Sequence, residues 1–557
     1  MISIEMKKTF NKINLLSSFF PIFILVALLL TGVAALAQGS GGLPETIAIE
    51  GGKISGLALG ENKDILVFKG IPYAKPPVGP LRWKPPQPVE AWEGVRQASV
   101  YGPACLQPDL PGMTLRHEKR SEECLYLNVW TAAKSADEKR PVMVWIHGGG
   151  FIIGSAHVST PYGQDGEALA RQGVVVVSMN YRLGAFGYFA HPLLSKESQH
   201  NVSGNYGLLD QIAALKWVQN NINAFGGDPG NVTIFGESAG AFSVCYLMAS
   251  PLAKGLFHRA IIESGSVFYG LKNRHLGEGW YGMEPMEKQG ERITKDLGCA
   301  GAADPVAALR ALSAEELLKG SKATMGALGN QFGPVVDGWV LPDDVMTIFD
   351  QGNQNVVPLI AGTNADEMSI FIPMLLFHSV DTYRGFLKSS FGAFADEVFA
   401  LYPVKEPSEV LKGFRDVLAD AMFVGPTRSL VRVVRKAGSK AYLYHFTMTS
   451  PGPMAAFGAF HSAEIVYVFN DIERVEKTFQ EPFEGKHQAL ATTMSAYWVQ
   501  FAKTGNPNKE GLPEWPAYDA ATDQYIEFGE VVKVGQGLRK EKLDFWDKFT
   551  AEKRKNR

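Results

Sequence analysis

Short runs of apolar and β-branched residues recur along the chain, and a turn marked by glycine follows most of them. Most runs are apolar on both faces, a pattern typical of parallel strands buried between layers of helices. Segments such as 207–222, with apolar residues three and four positions apart, predict helices between them. The pattern therefore predicts an α/β fold with a large, mostly parallel central sheet and helices on both faces. The apolar runs are 141–147, 173–180, 231–235, 259–262, 356–361 and 440–446.

The first 37 residues follow a different pattern. Three lysines at positions 7, 8 and 12 precede an almost purely apolar run, and Ala35-Leu36-Ala37 supplies small residues at a cleavage spacing. This order predicts a signal peptide at residues 1–37, hence export to the periplasm or the medium. An uncleaved membrane anchor is the alternative, since 15–37 could nearly span a bilayer. No other segment is apolar for long enough, so we expect no stable membrane insertion of the mature chain.

Charge and cysteine content narrow the classes of function. A formal net charge of −3 and no concentrated basic patch argue against a nucleic-acid partner. Of the four cysteines, Cys105 and Cys124 bracket a polar loop of 18 residues. That spacing suits a local disulfide, which would contribute about 3 kcal/mol. Cys245 lies in an apolar helical run and Cys299 has no obvious partner. No cysteine or histidine spacing indicates a metal, and no metal or cofactor is expected.

The apolar run 231–235 leads directly into Gly236-Glu237-Ser238-Ala239-Gly240. This is the G-x-S-x-G pattern, and a helical segment follows it, as a strained strand-to-helix turn requires. Small residues on either side of the serine allow strand and helix to pack closely. The context therefore predicts Ser238 as a nucleophile.

A second glycine motif, His147-Gly148-Gly149-Gly150-Phe151, ends an earlier apolar run. It matches the HGGG pattern that supplies backbone N–H donors to an oxyanion. We assign the donors to Gly149, Gly150 and Ala239, the residue after the serine. A phosphate-binding turn is the alternative, but no Lys-Ser or Lys-Thr follows to make a P-loop.

Together these motifs resemble the type-B carboxylesterase family, α/β-hydrolases that include cholinesterases, animal carboxylesterases and bacterial para-nitrobenzyl esterases. The resemblance implies one α/β-hydrolase domain over residues 38–557, with helical cap or gorge insertions; the polar, helix-rich segment 271–327 is a candidate. It also implies hydrolysis of a small-molecule carboxylic ester through an acyl-enzyme, releasing an alcohol and an acid. The matching segments are 68–77, 121–129, 147–151, 180–187, 204–211, 225–229, 236–240, 334–338 and 501–508.

The resemblance further implies the partners of the serine. Gly362-Thr-Asn-Ala-Asp-Glu367 is similar to the acid loop of the family and indicates Glu367, with Asp366 as the competing carboxylate. Phe460-His461-Ser462-Ala463-Glu464 is similar to the histidine loop and indicates His461 as the base. In these roles the histidine moves the serine proton, and the glutamate orients the imidazole.

Structural features follow from the same resemblance. It implies a Cys105–Cys124 disulfide and two buried ion pairs, Arg82–Glu122 and Arg182–Asp210. Because Cys299 lacks a nearby partner, the second disulfide of many animal relatives is not expected, and with the signal sequence this favours a bacterial origin.

Two alternatives remain at this level. The fold could carry a catalytically inactive adhesion or binding module, as in the neuroligin relatives, which lack the nucleophile. The same site could also cut a thioester, carbamate or amide, since one oxyanion hole and one triad serve any acyl transfer.

Overall fold

The computed structural model of the chain describes residues 43–110, 119–157, 164–268, 274–277, 284–322, 332–371, 379–479 and 482–555. The predicted signal peptide at 1–37 lies outside these ranges and stays a prediction. From Glu45 onward the chain forms one compact unit. Of the helices described, none has the length and apolarity that a bilayer crossing requires.

Strands alternate with helices along most of the described chain. The strands are β1 (Thr46–Ile49), β2 (Gly52–Ser55), β3 (Leu57–Leu59), β4 (Ile65–Pro72), β5 (Val95–Gln97), β6 (Ala104–Cys105), β7 (Arg120–Ser121), β8 (Tyr126–Thr131), β9 (Arg140–Ile146), β10 (Val175–Met179), β11 (Gly227–Glu237), β12 (Arg259–Glu263), β13 (Arg274–His275), β14 (Val335–Val336), β15 (Leu359–Asn364), β16 (Ala441–Phe446), β17 (Gln524–Phe528) and β18 (Lys533–Gln536).

One large sheet dominates the described part of the chain, in the strand order β18-β17-β16-β15-β12-β11-β9-β10-β8-β4-β3. All neighbours from β17 to β10 run parallel. At the edges, β18, β8, β4 and β3 pair antiparallel. The predicted mostly parallel sheet is therefore confirmed, and its edges are antiparallel strands that the apolar runs did not indicate.

The direction of the chain across the sheet reverses at β9. This strand lies between β10, which follows it in sequence, and β11, which returns to its other side. In open α/β sheets, ligands bind beyond the carboxyl ends of the strands at such a reversal. One glycine motif directly follows β9 and the other begins in the last two residues of β11, so the topology brings them together.

Helices cover both faces of the sheet. The five consecutive residues 142–146 of β9 are all 0% exposed, which requires packing on each side because successive side chains point to opposite faces. The helices are α1 (Glu167–Arg171), α2 (Gly184–Tyr188), α3 (Pro192–Glu197), α4 (Tyr206–Asn221), α5 (Ala239–Ala249), α6 (Met286–Asp296), α7 (Pro305–Ala311), α8 (Ala314–Gly320), α9 (Val345–Asp350), α10 (Val380–Phe391), α11 (Ala395–Leu401), α12 (Val410–Ala419), α13 (Gly425–Lys436), α14 (Ile465–Val468), α15 (Ile472–Phe479), α16 (Gly485–Thr504) and α17 (Lys540–Lys555). A π-helix, Asp420–Val424, joins α12 to α13.

The boundaries of two predicted elements differ from the sequence pattern. The predicted strand 356–361 is displaced to Leu359–Asn364, because Pro358 has no N–H to donate to a ladder and the strand begins after it. The predicted strand 231–235 extends in both directions to Gly227–Glu237. The predicted insertion 271–327 contains α6, α7 and α8, while part of it lies outside the described residues.

The disulfide implied by the resemblance is present. Cys105 is bonded to Cys124, and both Cys245 and Cys299 are buried free thiols. The bond joins the end of β6 to Cys124, which lies three residues after the end of β7. It thereby fixes the start of the segment that follows Cys105.

Both expected buried ion pairs are present as two-bonded contacts. The Arg82 guanidinium donates to the two carboxylate oxygens of Glu122 at 2.7 and 2.5 Å. Arg182 donates to those of Asp210 at 2.8 and 2.7 Å, and its backbone N–H adds a third bond at 3.0 Å. Because removing one partner would leave a buried charge unpaired, such contacts hold their segments in one arrangement.

Candidate active site

Ser238 stands between the end of β11 and the start of α5 in a strained conformation. Its φ of 53° and ψ of −121° lie outside the regions that L-residues prefer and cost about 1–3 kcal/mol. Its N–H donates to the carbonyl of Glu263 at 2.9 Å. A Cβ on Gly240 would lie 1.9 Å from the carbonyl oxygen of Ile146, so only glycine lets this turn pack against the end of β9.

The side chain of Ser238 is less buried than its surroundings. Residues 232–237 and 239–240 are all buried, whereas Ser238 keeps an intermediate exposure. Ala239, the first residue of α5, is 1% exposed. Ser238 is therefore the accessible residue of an otherwise buried segment.

The glycine-rich turn after β9 lies against this serine. Gly149 has φ +101°, where a side chain would be strained, and its carbonyl accepts from Ile152 N–H at 3.1 Å and Ile153 N–H at 3.0 Å. Gly150 follows with φ +63°. A Cβ on Gly148 would lie 3.2 Å from the Cβ of Ser238. The three residues assigned as oxyanion donors, Gly149, Gly150 and Ala239, thus belong to two segments in direct contact.

The two competing carboxylates of the acid loop have separate partners. Glu367 is 0% exposed, and its Oε2 lies 2.6 Å from Nδ1 of His461. Its Oε1 accepts from the N–H of Asn364 at 2.7 Å. Asp366 instead accepts from Arg415 at 2.6 Å and from the N–H of Ala459 at 3.1 Å. Of the two, it is Glu367 that contacts the histidine.

His461 has a carboxylate near each ring nitrogen and two tilted aromatic rings beside it. Opposite Glu367, its Nε2 lies 3.1 Å from Oε1 of Glu237. The rings of Phe371 and Phe423 lie 5.3 and 4.9 Å from the imidazole centroid. The next residue, Ser462, has φ 75° and donates its hydroxyl to Glu237 Oε1 at 2.6 Å. The imidazole therefore has little freedom to turn.

Several buried groups around Ser238, His461 and Glu367 were not assigned from the sequence. Glu464 accepts from the Ser264 hydroxyl at 3.1 Å and from the Asn364 amide at 2.5 Å. Glu263 accepts from Nε1 of Trp498 at 2.7 Å. Glu237 lies in the G-x-S-x-G motif, and Glu464 ends the segment that is similar to the histidine loop of the family. A carboxylate within such a motif was the signal available in the sequence.

These carboxylates set the electrostatics of the site. Burial raises the pKa of Glu237 to about 7 against the opposing charge of His461, and burial together with the charges of Glu237 and Glu367 raises the pKa of Glu464 to about 8. Burial alone would lower the pKa of His461, but Glu237, Glu367 and Glu464 outweigh it and raise this pKa to about 9.

The arrangement suits acyl transfer. A hydroxyl on a strained turn, an imidazole held by a carboxylate and a neighbouring glycine turn are the parts of a nucleophilic relay. Among the described residues, no group of three or more His, Cys, Asp or Glu side chains could hold a metal ion. A further histidine, His445, lies buried on β16, where burial lowers its pKa to about 3.

Comparisons with known proteins agree with this chemistry over nearly the whole chain. The sequence profile of the carboxylesterase family matches residues 44–546. The chain is 38% identical over 494 residues to the fumonisin B1 esterase of Sphingopyxis macrogoltabida, with 87% of each chain covered. It is 36% identical over 580 residues to liver carboxylesterase 1 of Oryctolagus cuniculus, covering 95% of this chain and 97% of that one. A solved PNB esterase structure matches with a TM-score of 0.75 and 34% identity, over 90% of this chain and 99% of the other.

Proposed function

Because the chain belongs to the carboxylesterase family and is a carboxylic-ester hydrolase that uses a serine, we propose that Ser238, His461 and Glu367 form its catalytic triad. The observation that carries the proposal is the 2.6 Å contact between His461 Nδ1 and Glu367, while the other ring nitrogen lies 3.1 Å from Glu237, the residue before Ser238. We do not propose Asp366 as the acid of the triad, because its carboxylate accepts hydrogen bonds from Arg415 and from the N–H of Ala459.

The chemistry follows from these contacts. The oxygen of Ser238 bonds to the ester carbonyl carbon while its proton passes to Nε2 of His461, the ring nitrogen that Glu367 does not hold. The bond to the alcohol oxygen then breaks, and His461 returns the proton to the leaving alcohol. Water attacks the acyl-serine by the same route and releases the acid.

We propose the backbone N–H groups of Gly149, Gly150 and Ala239 as the donors that stabilise the negative oxygen of the tetrahedral intermediate. Their support is the contact between the glycine turn and the serine turn. Fixed donors of this kind need no rearrangement during the reaction, and losing one typically costs about 3–4 kcal/mol of barrier.

Pre-steady-state kinetics with an activated ester such as para-nitrophenyl acetate test the proposal. An acyl-serine intermediate predicts a burst of about one equivalent of nitrophenol per chain before steady turnover. A catalytically inactive binding protein, or direct attack by water, predicts no burst.

The pH dependence of kcat/KM tests the base. Only the neutral imidazole of His461 can accept the serine proton, so activity should fall on acidification. Its neighbouring carboxylates raise the pKa of His461, hence the inflection should lie above the ordinary value of about 6.5. Glu237→Gln removes one of these charges, lowers this pKa and should move the acid limb down by about one pH unit.

The exposed carboxylate of Glu93 provides the control for this experiment. Glu93→Gln should leave the inflection within about 0.2 units, because solvent screens a surface charge. An acid limb that stays at the same pH in Glu237→Gln would show that this carboxylate does not act on the base.

We propose further that the chain is exported and that residues 1–37 are removed. The basic start, the apolar run and the small residues before position 38 support this, as does a disulfide, since such bonds persist in oxidising compartments. Amino-terminal sequencing of the protein from a bacterial expression host's periplasm or medium should begin at Gln38. A mature chain that begins at Met1 and sediments with membranes would instead support the anchor.

A further inference from the structure

The turn proposed to hold the oxyanion donors is closed at its far end by Gly154. This residue has φ +112°, and a Cβ on it would lie 2.4 Å from Nδ1 of His147 and 2.5 Å from the carbonyl oxygen of Gly148. The backbone of Gly154 therefore rests directly on the residues that enter the turn. Any shift of Gly154 must move the positions of the residues between them, which include Gly149 and Gly150.

A side chain from a distant segment holds this residue on both sides. The amide of Gln107 donates to the carbonyl of Gly154 at 2.9 Å, and its oxygen accepts from the N–H of the same residue at 2.9 Å. One side-chain amide thus satisfies both the N–H and the carbonyl of Gly154, as a neighbouring β-strand would. Gln107 is only 4% exposed, so water competes little for these bonds.

The position of Gln107 is itself fixed. Its amide also donates to the carbonyl of Cys105 at 3.0 Å, two residues earlier, and Cys105 is bonded to Cys124. Arg120 donates to the carbonyl of Gln107 at 3.2 Å. The side chain that holds Gly154 thus projects from a segment that the disulfide ties to Cys124, just after β7.

We infer that Gln107 is a positioning residue for the reaction, which clamps Gly154 and thereby sets the direction of the Gly149 and Gly150 N–H groups. The inference rests on the proposed oxyanion hole and extends it to the disulfide, which secures the clamp. Such a clamp matters in the transition state more than in substrate binding, because the donors must meet the oxyanion at hydrogen-bond distance. A displacement of about 1 Å in a catalytic group can cost about 100-fold in rate.

The test compares kcat and KM for para-nitrophenyl butyrate in wild type, Gln107→Ala and Gln107→Met. Methionine fills a similar volume but makes neither bond. Each variant should lose about 10- to 100-fold in kcat with KM within about threefold. Affinity for a trifluoromethyl ketone, which forms an oxyanion on the nucleophile, should weaken by the same factor as kcat/KM falls.

Asn508 provides a matched control. Its amide donates to the carbonyl of Trp515 at 2.9 Å and accepts from the N–H of the same residue at 2.7 Å, which is the same two-bonded clamp. Its side-chain amide and its backbone N–H both donate to Oδ1 of Asn506. Asn508→Ala should lower thermal stability and keep kcat within about twofold, since its clamp does not hold the oxyanion turn.

The disulfide provides a second, independent test of the inference. Replacing Cys105 and Cys124 together by serine should lower kcat less than Gln107→Ala does, and should add little in the Gln107→Ala background, because both changes act through one clamp. Additive losses would remove the disulfide from the inference.

Two outcomes would overturn the role of Gln107. The first is a folded Gln107→Ala enzyme with wild-type kcat and unchanged ketone affinity. The second is evidence that the clamp only supports the fold, which either a loss of kcat shared by Asn508→Ala or a failure of both Gln107 variants to fold would give. The variant Ser238→Ala distinguishes a failure of the clamp from a failure of the proposed triad. If Ser238→Ala is inactive while Gln107→Ala is not impaired, the triad stands and only the clamp fails.

Discussion

Replacing Ser238 with alanine is expected to reduce kcat by about 10⁵- to 10⁶-fold while the protein remains folded. The loss is large because the covalent route disappears, and only binding and the oxyanion donors are left to assist water. Stability should hold or rise slightly, since the Ser238 hydroxyl makes no capping hydrogen bond at the start of α5. Steady-state hydrolysis of para-nitrophenyl butyrate, with thermal denaturation as the folding check, measures both.

A matched control uses a nearby serine. Ser266 is buried and donates its hydroxyl to the carbonyl of Pro426 at 3.0 Å. Ser266→Ala should lower thermal stability and leave kcat within about threefold, the opposite pattern to Ser238→Ala. Turnover in Ser238→Ala near the wild-type value would contradict the assignment of the nucleophile.

Glu367→Gln is expected to lower kcat by about 10³- to 10⁴-fold, with a smaller change in KM. The glutamine keeps the size of the side chain but cannot stabilise the imidazolium of His461, and its amide can hold the wrong tautomer. The expected defect is therefore in the chemical step, which single-turnover measurements of acylation would isolate.

The neighbouring carboxylate decides whether this effect is specific. Asp366→Asn removes one charge from the same loop and weakens the contact with Arg415, a partly exposed ion pair. Its kcat should stay within about threefold of wild type, because exposed pairs contribute about 0–1 kcal/mol and this one does not reach His461. A large loss in Asp366→Asn with a small one in Glu367→Gln would reverse the assignment.

The centre of the fold could be predicted from the sequence because its strands are buried on both faces. A run such as 141–147 carries its own signal, and the neighbouring glycines mark where it ends. The edge strand β18 gave no such signal, since it is short and largely exposed. The strand β15 begins later than its apolar run because Pro358 has no N–H to donate. The apolar pattern alone does not take this local restriction into account.

The candidate site was predictable where its residues lie in contiguous motifs. The choice between Asp366 and Glu367 was not settled by the residues alone, because it depends on Arg415 and Ala459, which the fold brings beside the acid loop. The carboxylate of Glu237 meets Ser462 across 225 residues of sequence, and no local pattern encodes that contact.

Two further strained residues of the site, unlike Ser238, gave no signal in the sequence. Ser264 and Ser462 have φ of 53° and 75°, although neither is a residue that usually adopts positive φ. The clamp on Gly154 has the same origin, since Gln107 lies 47 residues away in sequence. Local sequence patterns indicate the residues of the relay, whereas long-range contacts indicate the residues that hold it.

Locating the covalent bond tests the account most directly. After reaction with a fluorophosphonate, intact-protein and peptide mass spectrometry should find one phosphonyl group per chain, on the peptide that contains Ser238, with loss of activity in proportion to labelling. Labelling of another residue that accompanies inactivation, or equal labelling of Ser238→Ala, would contradict the claim that this hydroxyl forms the acyl-enzyme.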